Sequence, residues 1–177
     1  MMRWAALLRG VNVGGNRKLP MADLRSFAEG LGLADARTLL ASGNLVFSTD
    51  EREAGALETR LEAEARSALG LDTDFLLRNA ADLDAVIAAN PFPEAAQARP
   101  NHLLVLFHRD PVPPEPMQTL RHDGPERLAA VGRELFIDYP EGIGRSTLTP
   151  AMAKAKFPRC ATARNWNTVL KLRALLA

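Results

Sequence analysis

The chain has 177 residues, 47% of them hydrophobic and 24% charged, with a net charge of +1. That balance fits one sizeable globular domain or two small, closely packed ones, and it excludes a disordered chain. It also excludes an internal disulfide, because Cys160 is the single cysteine, and structural zinc, because His102, His108 and His122 are scattered without ligand spacing.

Trp4-Ala5-Ala6-Leu7-Leu8 predicts a strand that is apolar on both faces, followed by a glycine- and asparagine-rich loop over residues 10–18. A helix is expected from Pro20, a residue suited to a first helical position, to Gly30 or Gly32. Residues 36–41 and 45–48 read as short strands around Ser42-Gly43-Asn44, a hairpin signal. Residues 51–69 predict a strong helix with Leu57, Leu61, Ala65 and Leu69 on one face and Gly70 as its stop, and residues 73–77 predict a strand. The order βαββαβ is that of a ferredoxin-like split βαβ fold.

The second half repeats the theme less clearly. Residues 81–89 read as a helical connection, 101–108 as a strand, 114–121 as a helix, and 127–131 with 134–138 as a hairpin turning at Gly132. Thr149-Pro150 predicts the start of a helix running to about Ala155. Thr162 reads as the N-cap of a last helix whose Trp166, Val169, Leu170 and Leu176 share one buried stripe. Pro91, Pro93 and Pro100 punctuate the join. The expected fold class is α+β, with two ferredoxin-like halves at residues 1–78 and 79–177, antiparallel sheets and helices on one face. Two strands, 4–8 and 103–107, are apolar on both faces, so the open sheet faces require cover from the other half or from a second subunit, in a monomer or a homodimer. No apolar run approaches the roughly 18–20 residues of a membrane span, and the apolar run 4–8 is too short for a signal-peptide core, so a cytoplasmic location without a membrane partner is expected.

Charge is unevenly spread. Residues 1–25 carry five Lys/Arg against Asp23, residues 141–177 carry seven against Glu141, and the middle carries ten against nineteen acids. Two basic ends that meet would form a positive patch on an acidic body, a geometry suited to a compact anion rather than a long nucleic-acid track. The loop 10–18 lies between a strand and a helix, where backbone N–H groups can hold phosphate. It lacks the P-loop lysine and hydroxyl, because Asn16-Arg17 stands in their place, and Gly14-Gly15 does not give the dinucleotide-binding spacing. Arg164, read in the first turn of the last helix, opposes the helix dipole unless an anion is bound there. The alternatives are a tight loop shaped by glycine and asparagine, and a solvated arginine. Gly142-Ile143-Gly144-Arg145-Ser146-Thr147 is a further flexible segment with a cation and two hydroxyls, or simply a loop. No catalytic constellation emerges. His122-Asp123-Gly124-Pro125 reads as a surface turn, and Cys160 as a small buried thiol.

Four segments taken together, residues 7–16, 20–25, 42–47 and 161–169, resemble the bacterial domain-of-unknown-function family 1697. These are Leu7-Leu8-Arg9-Gly10-Val11-Asn12-Val13-Gly14-Gly15-Asn16, Pro20-Met21-Ala22-Asp23-Leu24-Arg25, Ser42-Gly43-Asn44-Leu45-Val46-Phe47 and Ala161-Thr162-Ala163-Arg164-Asn165-Trp166-Asn167-Thr168-Val169. The resemblance implies two ferredoxin-like halves and no established activity. It implies signature positions at Arg9, Gly10, Asn12, Gly14, Gly15, Asn16, Ser42, Gly43, Asn44, Thr162, Arg164, Asn165, Trp166, Asn167 and Thr168. Between Ser146 and Cys160 the chain departs from the family's usual tail, with Lys154, Lys156 and Pro158 where a more acidic helix is expected.

The sequence thus points to binding of a small anionic or phosphorylated ligand where loop 10–18 meets the helix start at 162–168. Arg9, Lys18 and Arg164 would supply charge. Asn12, Gly14, Gly15, Asn16, Ser42, Asn44, Thr162, Asn165, Asn167 and Thr168 would shape the site and orient the ligand. No metal and no cofactor is expected, and whether a reaction follows is open. Single-stranded nucleic-acid binding is an alternative, although Leu45-Val46-Phe47-Ser48 offers one ring only; a protein-interaction module using an apolar sheet face is another.

Overall fold

The structure, a computed structural model, describes residues 1–15 and 17–177. Its first sheet is built from β1 (Met2–Leu8), β2 (Ala34–Thr38), β3 (Asn44–Thr49) and β4 (Phe75–Arg78), in the order β2-β3-β1-β4. Helices α1 (Met21–Gly30) and α2 (Ala54–Leu69) supply the crossovers. β1 pairs antiparallel with β3, Ala5 opposite Val46 and Leu7 opposite Asn44, and with β4 on its other edge. This is the ferredoxin-like strand order. It follows from the two-residue side-chain period of β1: Trp4, Ala6 and Leu8 turn to the helices, and Ala5 and Leu7, on the opposite face, are buried as well.

The helix-side core of this sheet is closely filled. Leu57, Leu61 and Ala65 of α2, four residues apart, meet Leu24 and Ala28 of α1 and Phe47, Phe75 and Leu77 of the sheet. Most of these side chains are fully removed from water, each worth about 1.5–3 kcal/mol for a Leu or Phe. Both ends of α2 are capped as its sequence directs. The Glu53 carboxylate accepts from the Gly55 and Ala56 backbone N–H groups, and Gly70 closes the helix in the left-handed conformation at φ 60°.

The second sheet repeats the topology. After α3 (Ala80–Ala88), α4 (Pro93–Ala98) and a 3-10 turn at Pro100–His102 come β5 (Leu103–His108), α5 (Pro114–Thr119), β6 (Arg127–Val131), β7 (Glu134–Asp138), α6 (Leu148–Lys154), β8 (Ala161–Asn165) and α7 (Trp166–Leu175). Strands run in the order β6-β7-β5-β8, the counterpart of β2-β3-β1-β4. The α+β class with two ferredoxin-like plaits is therefore what the chain adopts. Two compact units result: Met1–Ala85 with Lys171–Ala177, and Val86–Leu170. Within the first unit Arg3 donates to the carbonyls of Leu175 and Ala177, and Arg173 pairs with Asp84 at 2.5 and 3.0 Å.

Some boundaries move from the sequence reading. Thr162 is not a helix cap but part of β8, where it lies opposite Phe107 on the β5 ladder. β5 would otherwise be an edge with unpaired backbone groups, and ladder pairing outweighs the capping preference of one threonine. The cap is Asn165, whose Oδ1 accepts from the Thr168 N–H at 3.0 Å and from the Thr168 hydroxyl at 3.1 Å. Pro20 is likewise the residue before α1 rather than its first turn. α6 starts at Leu148 instead of after Thr149, with its Leu148 N–H satisfied by Ser146 Oγ at 3.1 Å.

Candidate functional site

The loop after β1 is shaped from inside by one side chain. Asn12 sits at φ 55°, a left-handed conformation that asparagine tolerates better than most residues. Its amide donates to the carbonyls of Leu19 at 2.9 Å and Ala41 at 2.7 Å, and its carbonyl accepts from the Leu19 N–H at 2.7 Å. The Asn12 N–H also reaches the Arg17 carbonyl, at 3.1 Å. These bonds close the loop and moor it to the turn between β2 and β3. The mooring is reinforced by Gly43 at φ +89°, a position with no room for a side chain: a Cβ there would fall 2.5 Å from Val11 Cγ2 and 3.0 Å from Leu8 Cβ. The Gly43 carbonyl receives the Leu8 N–H at 2.9 Å.

Structure thus brings together two motifs that sequence leaves apart, the loop 10–18 and Ser42-Gly43-Asn44. Asn44 is fully buried and donates to the Leu39 carbonyl at 2.6 Å and to Ser42 Oγ at 3.1 Å, which is turn chemistry. Arg9 at the loop's root pairs with Asp74 at 2.6 Å. Gly14 and Gly15, at φ 60° and 77°, and Arg17 and Lys18 are exposed on the outer surface. Asn16 lies outside the described residues.

The remaining sequence-predicted residues belong to the second unit. Arg164 is in β8 opposite Val105 rather than in a helical turn, and it is buried. Burial pushes its guanidinium down to about 10, so it keeps its charge at neutral pH. It donates to Thr162 Oγ1 at 2.7 Å and to the Ala163 carbonyl at 2.8 Å. Asn167 donates to Asn101 Oδ1 at 2.7 Å.

Two polar clusters of the second unit escaped the sequence reading. Glu126 is one centre: His122 Nε2 lies 2.6 Å from its Oε2, and Ser146 Oγ donates to its Oε1 at 2.5 Å. The His122 and Glu126 side chains are only 8% and 5% exposed, so the exposed turn at Asp123-Gly124-Pro125 carries a buried pair beneath it. Burial acts to raise the Glu126 carboxyl, but the bonds from Ser146 and His122 outweigh it and hold the group below its ordinary value. The carboxylate, not the imidazole, accepts the serine hydrogen bond. That order differs from a nucleophile–histidine–acid relay, so the cluster fixes the 142–147 loop rather than activating Ser146. The separation of His122 and Glu126 by four residues was the available signal, but without a helix there it carried no weight.

Asp138 is the second centre. Its carboxylate is fully buried and is gripped by Arg99 at 2.8 and 2.5 Å and by Arg127 at 2.8 Å. Arg127 also pairs with Glu94 and stacks 4.5 Å over the Phe92 ring. The Arg99 hydrogen bonds, with Arg127 adding to them against the cost of burial, hold the Asp138 carboxyl below its usual range.

The same unit holds an apolar cavity of about 550 Å³ on the helix side of its sheet. Leu104, Leu106 and Ala163 form its floor, with Met152 and Phe157 beside them. Among the described residues no group of three or more His, Cys, Asp or Glu is placed to hold a metal ion, and no helix is long and apolar enough to cross a membrane.

Duplicated plaits carried by one chain, with a moored glycine loop after the first strand, define the architectural class. The chain belongs to the family described as "Protein of unknown function (DUF1697)", which it matches over residues 1–136. Among solved structures it is similar to the conserved bacterial protein SP0830 from Streptococcus pneumoniae, at 25% identity and a TM-score of 0.77, with 99% of each chain covered. No curated protein matches the chain.

Proposed function

We propose that the protein binds a small anionic, phosphate-like ligand on the outer surface of loop 10–18. The observation that carries this reading is the division of labour within the loop. Asn12 commits both amide hydrogens to backbone carbonyls and so fixes the frame, with Ser42 and Asn44 holding the turn to which it is moored. The frame leaves Gly14 and Gly15 backbone, Arg17 and Lys18 facing solvent. Successive backbone N–H groups in left-handed and turn conformations, flanked by cations, form a concavity suited to an anion. Arg9 contributes less, because Asp74 already neutralises it.

The other residues expected from sequence to share this role hydrogen-bond within the second unit. Thr162 and Arg164 bond each other, Asn165 caps α7 through Thr168, and Asn167 bonds Asn101. The candidate anion site is therefore the loop of the first unit.

A thermal-shift panel at fixed ionic strength tests it, with sulfate, pyrophosphate, nucleotides, sugar phosphates and a short RNA. A ligand at 100 times its dissociation constant adds about 2.7 kcal/mol, a clear rise in midpoint. The expected result is a selective shift with one phosphate class that disappears in the Arg17→Ala/Lys18→Ala double variant. A flat panel, or a shift that survives the double variant, overturns the reading.

A further inference from the structure

The helix side of the second sheet is left partly open. Helices α5 and α6 are six and seven residues long. Between α6, the segment 156–159 and the sheet they leave the cavity of about 550 Å³, within the roughly 300–1,000 Å³ span of small-molecule sites. Leu104 and Leu106 on its floor are half-buried where the corresponding residues of β1 are fully buried. Ile143, 54% exposed, stands at its mouth. A cavity walled by hydrocarbon offers water few partners, which favours an apolar occupant.

Charge at the rim has one sign. The lining includes Lys156, Arg159 and the Thr149 hydroxyl, and no aspartate or glutamate. Lys156 also occupies an unusual backbone position. It ends α6 at φ 63°, with its N–H donating to the Ala153 carbonyl and the Phe157 N–H donating to the Met152 carbonyl. That is the terminating motif in which glycine is the usual left-handed residue. A lysine there accepts backbone strain that glycine avoids, while the next residue, Phe157, forms the cavity wall.

We propose that this cavity binds a single-chain aliphatic carboxylate, with its tail over Leu104 and Leu106 and its head between Lys156 and Arg159. The tail would complete the sheet's apolar cover, and the head would meet the two cations among the lining residues. This site is independent of the phosphate-like site proposed on loop 10–18.

Calorimetric titration with dodecanoate below its micelle concentration, against dodecyltrimethylammonium, tests the proposal. Expected is one dodecanoate per chain, at least tenfold tighter than the cationic amphiphile and undiminished by inorganic phosphate. Lys156→Gly is expected to weaken dodecanoate three- to tenfold while leaving the melting temperature unchanged or raised. Ala163→Phe, which adds a ring over the floor from an exposed strand position, is expected to abolish binding with the fold intact by circular dichroism. No binding by wild type, equal binding of the cationic amphiphile, or unchanged affinity in Lys156→Gly overturns the proposal.

Discussion

The two plaits share one strand order and differ in what lies over the helix side of the sheet. The first is covered by α1 and by the sixteen-residue α2, and its helix-side residues Ala6, Leu8, Phe47, Leu61 and Leu77 have no solvent exposure. The second relies on two helices of six and seven residues, and its Leu104 and Leu106 border a cavity. Topology is therefore compatible with either a filled or an open core, and helix length decides which one forms. The open core belongs to the unit that also holds the ionic clusters centred on Glu126 and Asp138.

The sharpest way to break this comparison is to remove one large side chain from the helix side of each sheet. Phe47→Ala, in the filled core, should cost about 4 kcal/mol, whereas Leu106→Ala on the cavity floor should cost about 1 kcal/mol, because little packing is lost there. Denaturant titration of each variant checks the difference, and equal losses would show that the second core is as tightly filled as the first. The hairpin turns offer a second contrast. Gly43→Ala brings a Cβ onto Val11 and should cost about 3 kcal/mol, while Gly132→Ala, at φ 60° with nothing near its Cβ, should cost about 1 kcal/mol of backbone strain.

Charge burial gives a third. Asp138→Asn should lower stability at pH 7 by on the order of 2 kcal/mol, below the usual cost of splitting a buried pair, since both arginines keep some solvent contact. The native carboxyl lies below its unfolded value, so its contribution is complete above the unfolded value and is lost as pH falls through the native one. The variant's stability should accordingly fall less than wild type's below about pH 4, as read by urea midpoints across an acid series. The smallest expected effect is Lys156→Gly, a gain of about 0.5 kcal/mol from relieving the left-handed lysine, measurable as a slightly raised melting temperature.

The first plait was legible because its signals agreed: the period of α2, the glycine that stops it, and the two-faced strand β1. The second was legible only as far as α6. Ala161-Thr162-Ala163-Arg164-Asn165 satisfies a strand's alternation as well as a helix's approach, and the backbone need of β5 for a partner, invisible in sequence, decided for β8. Asn12 shows the limit for sites. An asparagine that tolerates φ 55° and offers an amide suits a ligand and a loop equally, and here its hydrogen bonds go to Leu19 and Ala41. His122 and Glu126 were hidden for a related reason, since only the folded turn removes them from water.

Arg3 has a temporal consequence. Its guanidinium bonds carbonyls of Leu175 and Ala177, and Asp84 awaits Arg173, so the unit opened by the first strand is closed by residues made after the whole of Val86–Leu170. At ordinary translation speeds of roughly 5–20 residues per second, the nascent first unit stands unsealed on the ribosome for on the order of ten seconds. During that interval the later plait is synthesised and can fold as an insertion, so the first plait closes only after the second has been made.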